Sequence, residues 1–321
     1  MSVEITFTCG LVFTDELVAI AGAGDDLDDY EAFTRIFQCV NEPPIKWWSH
    51  DVDWRAVSMA YFGPSTEDFD DIVILSDEGH VHYVGKHPPI TEKIPGAGLF
   101  SEDATGWGYM SGIRQIGDHL YACGGAGQVY KRVGPDQWLH MDDGLLQPTD
   151  VDERLLPRDI NGPNEQEIYL AGALSSVGYP GQLHFWNGES WRKLALPTDE
   201  RLNAIYVEDE NRIWICGSNG TLLFGNHRDG FIDVSAVEDN QLFTSLTKVN
   251  ERIYLASNLG LFVYDGAGIH PVQTGLNPQL QDANVVDAID GVLWSIGPKD
   301  IAKFDGKQWT RIDHPDNPPI R

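Results

Sequence analysis

One short pattern recurs along the whole chain and limits what the chain can fold into. An apolar run of four or five residues ends in Gly or Ser seven times: Leu17-Val-Ala-Ile-Ala-Gly22, Ile72-Val-Ile-Leu-Ser76, Leu120-Tyr-Ala-Cys-Gly124, Ile168-Tyr-Leu-Ala-Gly172, Ile213-Trp-Ile-Cys-Gly217, Ile253-Tyr-Leu-Ala-Ser257 and Leu293-Trp-Ser-Ile-Gly297. Successive copies are 55, 48, 48, 45, 40 and 40 residues apart, and helix signals are nearly absent between them. A period in the forties, with room for four short strands per unit, is the signature of a β-propeller blade. The expected fold is therefore all-β: a seven-bladed β-propeller with four antiparallel strands per blade.

The sixth copy shows the unit most plainly. Strands are expected at 242–249, 252–256, 261–264 and 269–273, with turns at Asn250-Glu251 and Asp265-Gly266. Asp265-Gly266, Asp305-Gly306 and Asn187-Gly188 read as two-residue turns with positive φ, and Trp191 and Trp309 open the strand that follows. Blades are placed at 1–50, 51–98, 99–150, 151–199, 200–238, 239–279 and 280–321, in one domain without a Pro/Ser-rich linker. Blade one uses Ile5–Phe13 as its own inner strand, so closure rests on side-chain packing, with the tail Pro315-Asp-Asn-Pro-Pro319 lying outside. Trp214, Tyr254 and Trp294 fall at equivalent second-strand positions and are expected between blades.

Asn211-Arg-Ile-Trp-Ile-Cys-Gly-Ser-Asn-Gly-Thr-Leu-Leu-Phe224, and Val292-Leu-Trp-Ser-Ile-Gly297 with Phe304-Asp-Gly-Lys-Gln-Trp309, resemble the repeats of bacterial propellers of the two-component-regulator and neuraminidase-like kinds. The resemblance implies the fold and carries no activity. Neither the sialidase Asp box nor the Trp-Asp and Gly-His pairs of WD repeats is intact.

The charge narrows the partners. With 22 Lys and Arg against 49 Asp and Glu the net charge is −27, a field that repels nucleic acid and anionic membranes and suits a basic protein. No basic segment followed by an apolar core opens the chain and no run approaches membrane-spanning length, so a cytoplasmic protein, monomeric when free, is expected. Cys9, Cys39, Cys123 and Cys216 form no C-x-x-C pair and read as small buried hydrophobes.

Measured against the compact sixth blade, insertions fall at Gly24–Ala32, Gly96–Gly106, Asp142–Pro157 and Leu174–Gly181, all between strands two and three or between blades. Those connections share one side of a propeller, and only Pro64–Asp71 enlarges the other. Variable loops on a rigid scaffold are where recognition concentrates. These are acidic and hold or adjoin aromatics, and Trp54 follows Asp51 and Asp53 at a blade junction, so Tyr30, Trp54, Trp107 and Tyr179 are the expected anchors, and Asp28, Asp29, Asp143 and Asp152 the expected steering charges.

The expectation is a non-enzymatic protein-binding propeller without cofactor or bound metal, one concrete form being an immunity or antitoxin protein that masks a basic bacterial toxin. The alternative is a hydrolase or lactonase with a divalent ion held by inner-strand Asp159, Asn161, Asn203, Asn284 and Asp287. Three further features carry weaker readings. Asp25-Asp-Leu-Asp-Asp29 lacks the glycine and distal glutamate of an EF-hand. His80-Val-His82, near His87, reads as exposed strand histidines. Arg158 and Arg201 read either as an anion clamp at the channel mouth or, more economically in so acidic a chain, as salt-bridge partners.

Overall fold

The computed structural model describes residues 3–28, 31–67, 70–85, 88–148 and 150–321. Every sheet is a four-stranded antiparallel meander, there are seven of them, and the fold is a seven-bladed β-propeller. All seven recurrent apolar runs lie in second strands. Among the described residues the only helical element is a 3₁₀ turn at Gly125–Gly127.

The chain divides into two compact units. The first, residues 1–56 and 238–321, holds blades one, six and seven. Blade one is Ile5–Val12, Leu17–Gly24, Thr34–Val40 and Lys46–Val52. Blade six is Phe243–Val249, Arg252–Ser257, Gly260–Tyr264 and Ile269–Pro271, within a residue or two of the expected bounds. Blade seven is Val285–Ile289, Val292–Ile296, Ile301–Phe304 and Trp309–Arg311. Apolar seams join neighbours: Val249, Leu261, Val286 and Leu293 between blades six and seven, and Ile5, Phe7, Ile20, Phe37, Trp294 and Ile301 between blades seven and one. Since blades one and seven each own all four strands, they join through this seam rather than through a shared sheet.

The tail corrects an expectation. Asn317 is buried and bonded to the backbone of Ile5, and His314 is buried against Phe7, Phe37 and Trp47, so the Pro-rich end is part of blade one's packing rather than outside it.

The second unit, residues 57–237, holds blades two to five. Blade two is Ala56–Phe62, Asp71–Ser76, His80–Gly85 and Ile90–Lys93; blade three is Met110–Ile116, His119–Gly124, Gln128–Gly134 and Gln137–His140. Blade four is Leu155–Asn164, Glu167–Leu174, Gly181–Trp186 and Trp191–Lys193; blade five is Leu202–Asp209, Arg212–Gly217, Leu222–Asn226 and Gly230–Asp233. First strands pack on the first strands of the next blade, and each pair of blades encloses its own apolar seam. Burying such seams, at about 25 cal/mol per Å² of apolar surface, holds together neighbouring sheets that share no backbone ladder.

The aromatics sort by seam. Trp294 is fully buried between blades seven and one, whereas Trp214 and Tyr254 are only half-buried, Trp214 lying over Phe224 of its own blade at 4.3 Å. Trp191 and Trp309 pack on seams as expected. All four cysteines are free and buried, and burial pushes the Cys9, Cys39 and Cys123 thiols up to about 12.

Turn chemistry is partly as expected. Asn250 and Glu251 both have positive φ, the two-residue geometry that matches strand twist. At Asp265-Gly266 only the glycine does, at +91°, and Asp265 instead accepts the N–H groups of Ala267 and Gly268. Asn187 and Asp305 make the same pair of bonds to the two residues beyond their glycines. The aspartate or asparagine is chosen for that acceptor oxygen, not for tolerance of a left-handed backbone.

Candidate recognition rim

Three of the four inserted loops belong to the second unit, and hydrogen bonds join them into a continuous rim. At one end, the N–H of Gly125 donates to the Tyr109 carbonyl at 2.9 Å and Gln128 donates to Gly108 at 3.0 Å. Gln147 donates from its backbone to Ala126 at 2.9 Å, and its side chain accepts the N–H of Leu155. At the other end Ser175 and Arg154 exchange two bonds of 2.8 Å, so the blade-four loop is seated on the connection between blades three and four.

The Gly96–Gly106 loop is the most firmly held. One carboxylate oxygen of Glu78 accepts the consecutive N–H groups of Leu99, Phe100 and Ser101, each at 3.0 Å. Asp103 accepts the N–H of Gly96 at 2.8 Å and pairs with Lys93 at 3.2 Å. The Gly96 bond, aided by Lys93, holds the Asp103 carboxyl below the usual aspartate range. At the loop's tip Phe100 is 78% exposed, its only ring neighbour among the described residues being Tyr109, edge-on at 6.1 Å. An exposed phenyl on a backbone fixed by three bonds to one carboxylate loses little further entropy on binding, which is what an anchor requires.

In the blade-four loop Tyr179 is 52% exposed, with φ of 49° in the left-handed region, and Val177 beside it is fully exposed. Asp143, Asp152, Asp150 and Glu153 are exposed along the connection between the two loops. Asp142 is not: it is buried, accepting from Val129 and facing His140 at 3.1 Å.

The expected site residues therefore separate. Asp143, Asp152 and Tyr179 share the rim. Trp107 adjoins it but is half-buried, edge-on to His140 at 5.6 Å. Trp54 is 6% exposed and cannot anchor a partner, because almost none of its ring reaches solvent. Asp28 is exposed in the first unit, whereas Asp29 and Tyr30 lie outside the described residues. Phe100 was missed because sequence reasoning favoured Trp107; glycines at 96, 98 and 106 were the available sign of a projecting tip.

The residues suggested for a channel ion are engaged otherwise. The Asp159 carboxylate accepts the N–H of Ile205 at 2.9 Å and pairs with Arg114 at 3.2 Å, while Asn161 donates to the Ile205 carbonyl. Asp287 accepts the N–H of Val12 at 2.9 Å, and Asn284 donates to the Phe7 carbonyl at 2.9 Å. These side chains staple one blade's first strand to the next, satisfying backbone groups that have no ladder partner on that edge. Asn203 accepts from Arg201 at 3.1 Å. No group of three or more His, Cys, Asp or Glu suited to a metal ion occurs among the described residues. Asp25 pairs with Lys299 and accepts from Thr6, and His82 is buried rather than exposed, bonded to Thr91 at 2.7 Å. His87 lies outside the described residues.

Solved propellers resemble this chain in fold. The WD40 propeller domain of Doa1 superposes with a TM-score of 0.63 at 9% identity, covering 94% of this chain and 93% of that one. YCF48 from Cyanidioschyzon merolae gives 0.63 at 10%, covering 98% and 97%. The extracellular domain of the two-component system BT4673 from B. thetaiotaomicron gives 0.62 at 14%, covering 94% of this chain and 39% of that one. No family model matches. At the level of sequence, the immune protein Tsi7 of Pseudomonas aeruginosa is 32% identical over 261 residues, which cover 81% of this chain and 80% of Tsi7. A propeller with this identity over this span belongs to the family of the immune protein Tsi7.

Proposed function

We propose that this chain is an immunity protein that acts without catalysis, by capping a basic toxin protein with the rim of its second unit. The observation that carries the reading is the rim itself: Phe100 and Tyr179 exposed on hydrogen-bonded loops, with Asp143 and Asp152 exposed between them. Membership of an immune-protein family supports a toxin as the partner, and the net charge of −27 supports its basicity. Aromatic anchors supply affinity once desolvated, while carboxylates at the margin speed encounter with a positive surface. The protein acts in the cytoplasm, as a monomer until the toxin binds.

The test is capture of the partner by the tagged chain from the native cell, followed by surface plasmon resonance at two ionic strengths. The captured protein is expected to be basic. Asp143→Asn with Asp152→Asn slows association and flattens its salt dependence. Phe100→Ala and Tyr179→Ala speed dissociation, by about tenfold or more if either is a hot spot. If all three variants bind like the unaltered protein, while changes at Ser65 on the opposite side abolish binding, the rim is the wrong surface.

A further inference from the structure

The first unit carries a groove of a different chemical kind from the rim. It lies on the seam of blades six and seven, measures about 550 Å³, and is lined by three half-buried rings, Tyr254, Phe304 and Trp309, that pack against the apolar cluster of that seam. Tyr254 stands opposite Val263 in blade six, and Phe304 opposite Trp309 in blade seven with ring centroids 5.4 Å apart. The outer strands Ile269–Pro271 and Trp309–Arg311 are three residues each and leave these rings partly open to solvent. Two exposed cations line the same groove: Arg252, two residues before Tyr254 and so on the same face of its strand, and Lys307, in the turn that leads into Trp309. No Asp or Glu lines it among the described residues. Two other grooves of the first unit differ: Asp25, Asp28 and Glu31 line one beside Arg55, and Asp26 and Asp316 the other beside Arg35.

The walls are held before any ligand arrives. Gln279 accepts the N–H and the hydroxyl of Thr274, the Thr274 oxygen accepts the N–H of Leu276 at 3.2 Å, and Asp305 accepts the N–H groups of Lys307 and Gln308 at 2.8 Å each. Glu251, beside Arg252, is drawn to Lys248 at 2.8 Å. At long range the net charge of −27 opposes any anion, but with a screening length of about 8–10 Å at physiological salt the groove's own two cations outweigh distant carboxylates. A ligand with one or two carboxylates on an apolar body suits that balance, and a polyanion does not. Gln273 and Gln308, exposed on the groove, each offer an amide donor and acceptor, the two groups with which Asn317 engages the backbone of Ile5. We infer that this groove takes an acidic peptide segment: an apolar side chain against Tyr254 and Trp309, its flanking carboxylates on Arg252 and Lys307, and its backbone on Gln273 and Gln308. The site selects the opposite sign of charge from the rim and does not depend on the rim reading.

The probe is a synthetic peptide, acetyl-Glu-Leu-Glu-amide, compared with acetyl-Gln-Leu-Gln-amide and with adenosine monophosphate. Each is titrated into the full chain and followed by NMR at the indole N–H of Trp309, a resonance identified by its disappearance in Trp309→Phe. Concentrations run to about 10 mM, where even a millimolar site is mostly filled. The acidic peptide is expected to move the Trp309 signal saturably while the signal of the buried Trp294 stays in place. Arg252→Gln with Lys307→Gln is expected to weaken that binding by roughly tenfold or more, as for loss of charge-assisted contacts. Both side chains are exposed, and unchanged indole signals elsewhere in the double variant verify that it folds. Absence of a saturable shift at Trp309 overturns the proposal. So does equal binding of the glutamine peptide, or of the acidic peptide by the double variant, since the cations then recognise no carboxylate. If adenosine monophosphate binds more than about tenfold more tightly than the acidic peptide, the groove is a nucleotide site and the peptide assignment is overturned.

Discussion

The side-chain amide of Asn317 pairs with both backbone groups of Ile5, accepting its N–H at 2.7 Å and donating to its carbonyl at 3.0 Å. An asparagine amide presents one donor and one acceptor side by side, as a strand residue does, so Asn317 stands in for a ladder partner at the start of blade one's first strand. Farther along that strand Asn284 serves Phe7 and Asp287 serves Val12. The propeller's first strands have an open edge, and side chains, not backbone, close it.

Asn317→Ala leaves a buried N–H and a buried carbonyl of Ile5 unpaired. At about 1–3 kcal/mol for each orphaned group, unfolding in urea is expected to show a loss of about 2–4 kcal/mol. A loss below about 0.5 kcal/mol would show that water reaches Ile5 and that the tail is dispensable.

His314 lies among Phe7, Phe37 and Trp47, its Nδ1 accepting the N–H of Asp316 and its Nε2 buried without a partner among the described residues. Burial lowers its pKa to about 4. Because the folded value lies below the unfolded one of about 6.5, the unfolded chain binds the proton first. The contribution to stability is therefore complete above about pH 6.5 and lost as pH falls towards 4. Stability measured by denaturant unfolding is expected to fall by on the order of 1–3 kcal/mol across that interval for this group, and His314→Phe to flatten the profile. An unchanged slope in the variant would assign the acid sensitivity elsewhere.

Arg132 is 2% exposed and joins Glu92 through Nε and Nη2, Glu67 through Nη1, and the faces of Phe62 and Tyr83. Glu92, also buried, accepts from Trp138 and Tyr83 as well. Arg132→Met leaves the carboxylate buried without its counter-charge, and a loss of about 3–5 kcal/mol is expected. Glu92→Gln, which keeps an acceptor for Trp138 and removes the charge, should cost less than Arg132→Met; the reverse order would mean that packing, not charge, dominates this seam.

Trp294 and Trp214 occupy the same position in their blades yet differ in burial. Trp294→Ala is expected to cost about 3–5 kcal/mol, the usual result of emptying a core aromatic site. For Trp214→Ala less than about 2 kcal/mol is expected, since its ring already meets solvent over Phe224. Equal losses in denaturant unfolding would contradict the seam assignment.

From sequence alone the repeat, the blade count, the second strands and the sixth blade's four strands could be read, because alternating apolar residues and glycine-marked turns are local and repeat with the unit. So could the positions of the inserted loops and their acidity. What the sequence could not decide was orientation. Trp54 and Phe100 are both large aromatics near the ends of blades in the sequence, but one is buried and the other is exposed on a backbone held by Glu78, 22 residues earlier in the chain. Asp159 and Asp287 looked like ligands for an ion until the neighbouring strand's N–H groups were seen to occupy them. Arg201 read as a salt-bridge partner, but its Nε donates to the amide oxygen of Asn203 instead. Except for this last bond, each of these depends on contacts between segments tens to hundreds of residues apart, and the burial, pairing and exposure that give a side chain its chemistry are set only when the blades pack.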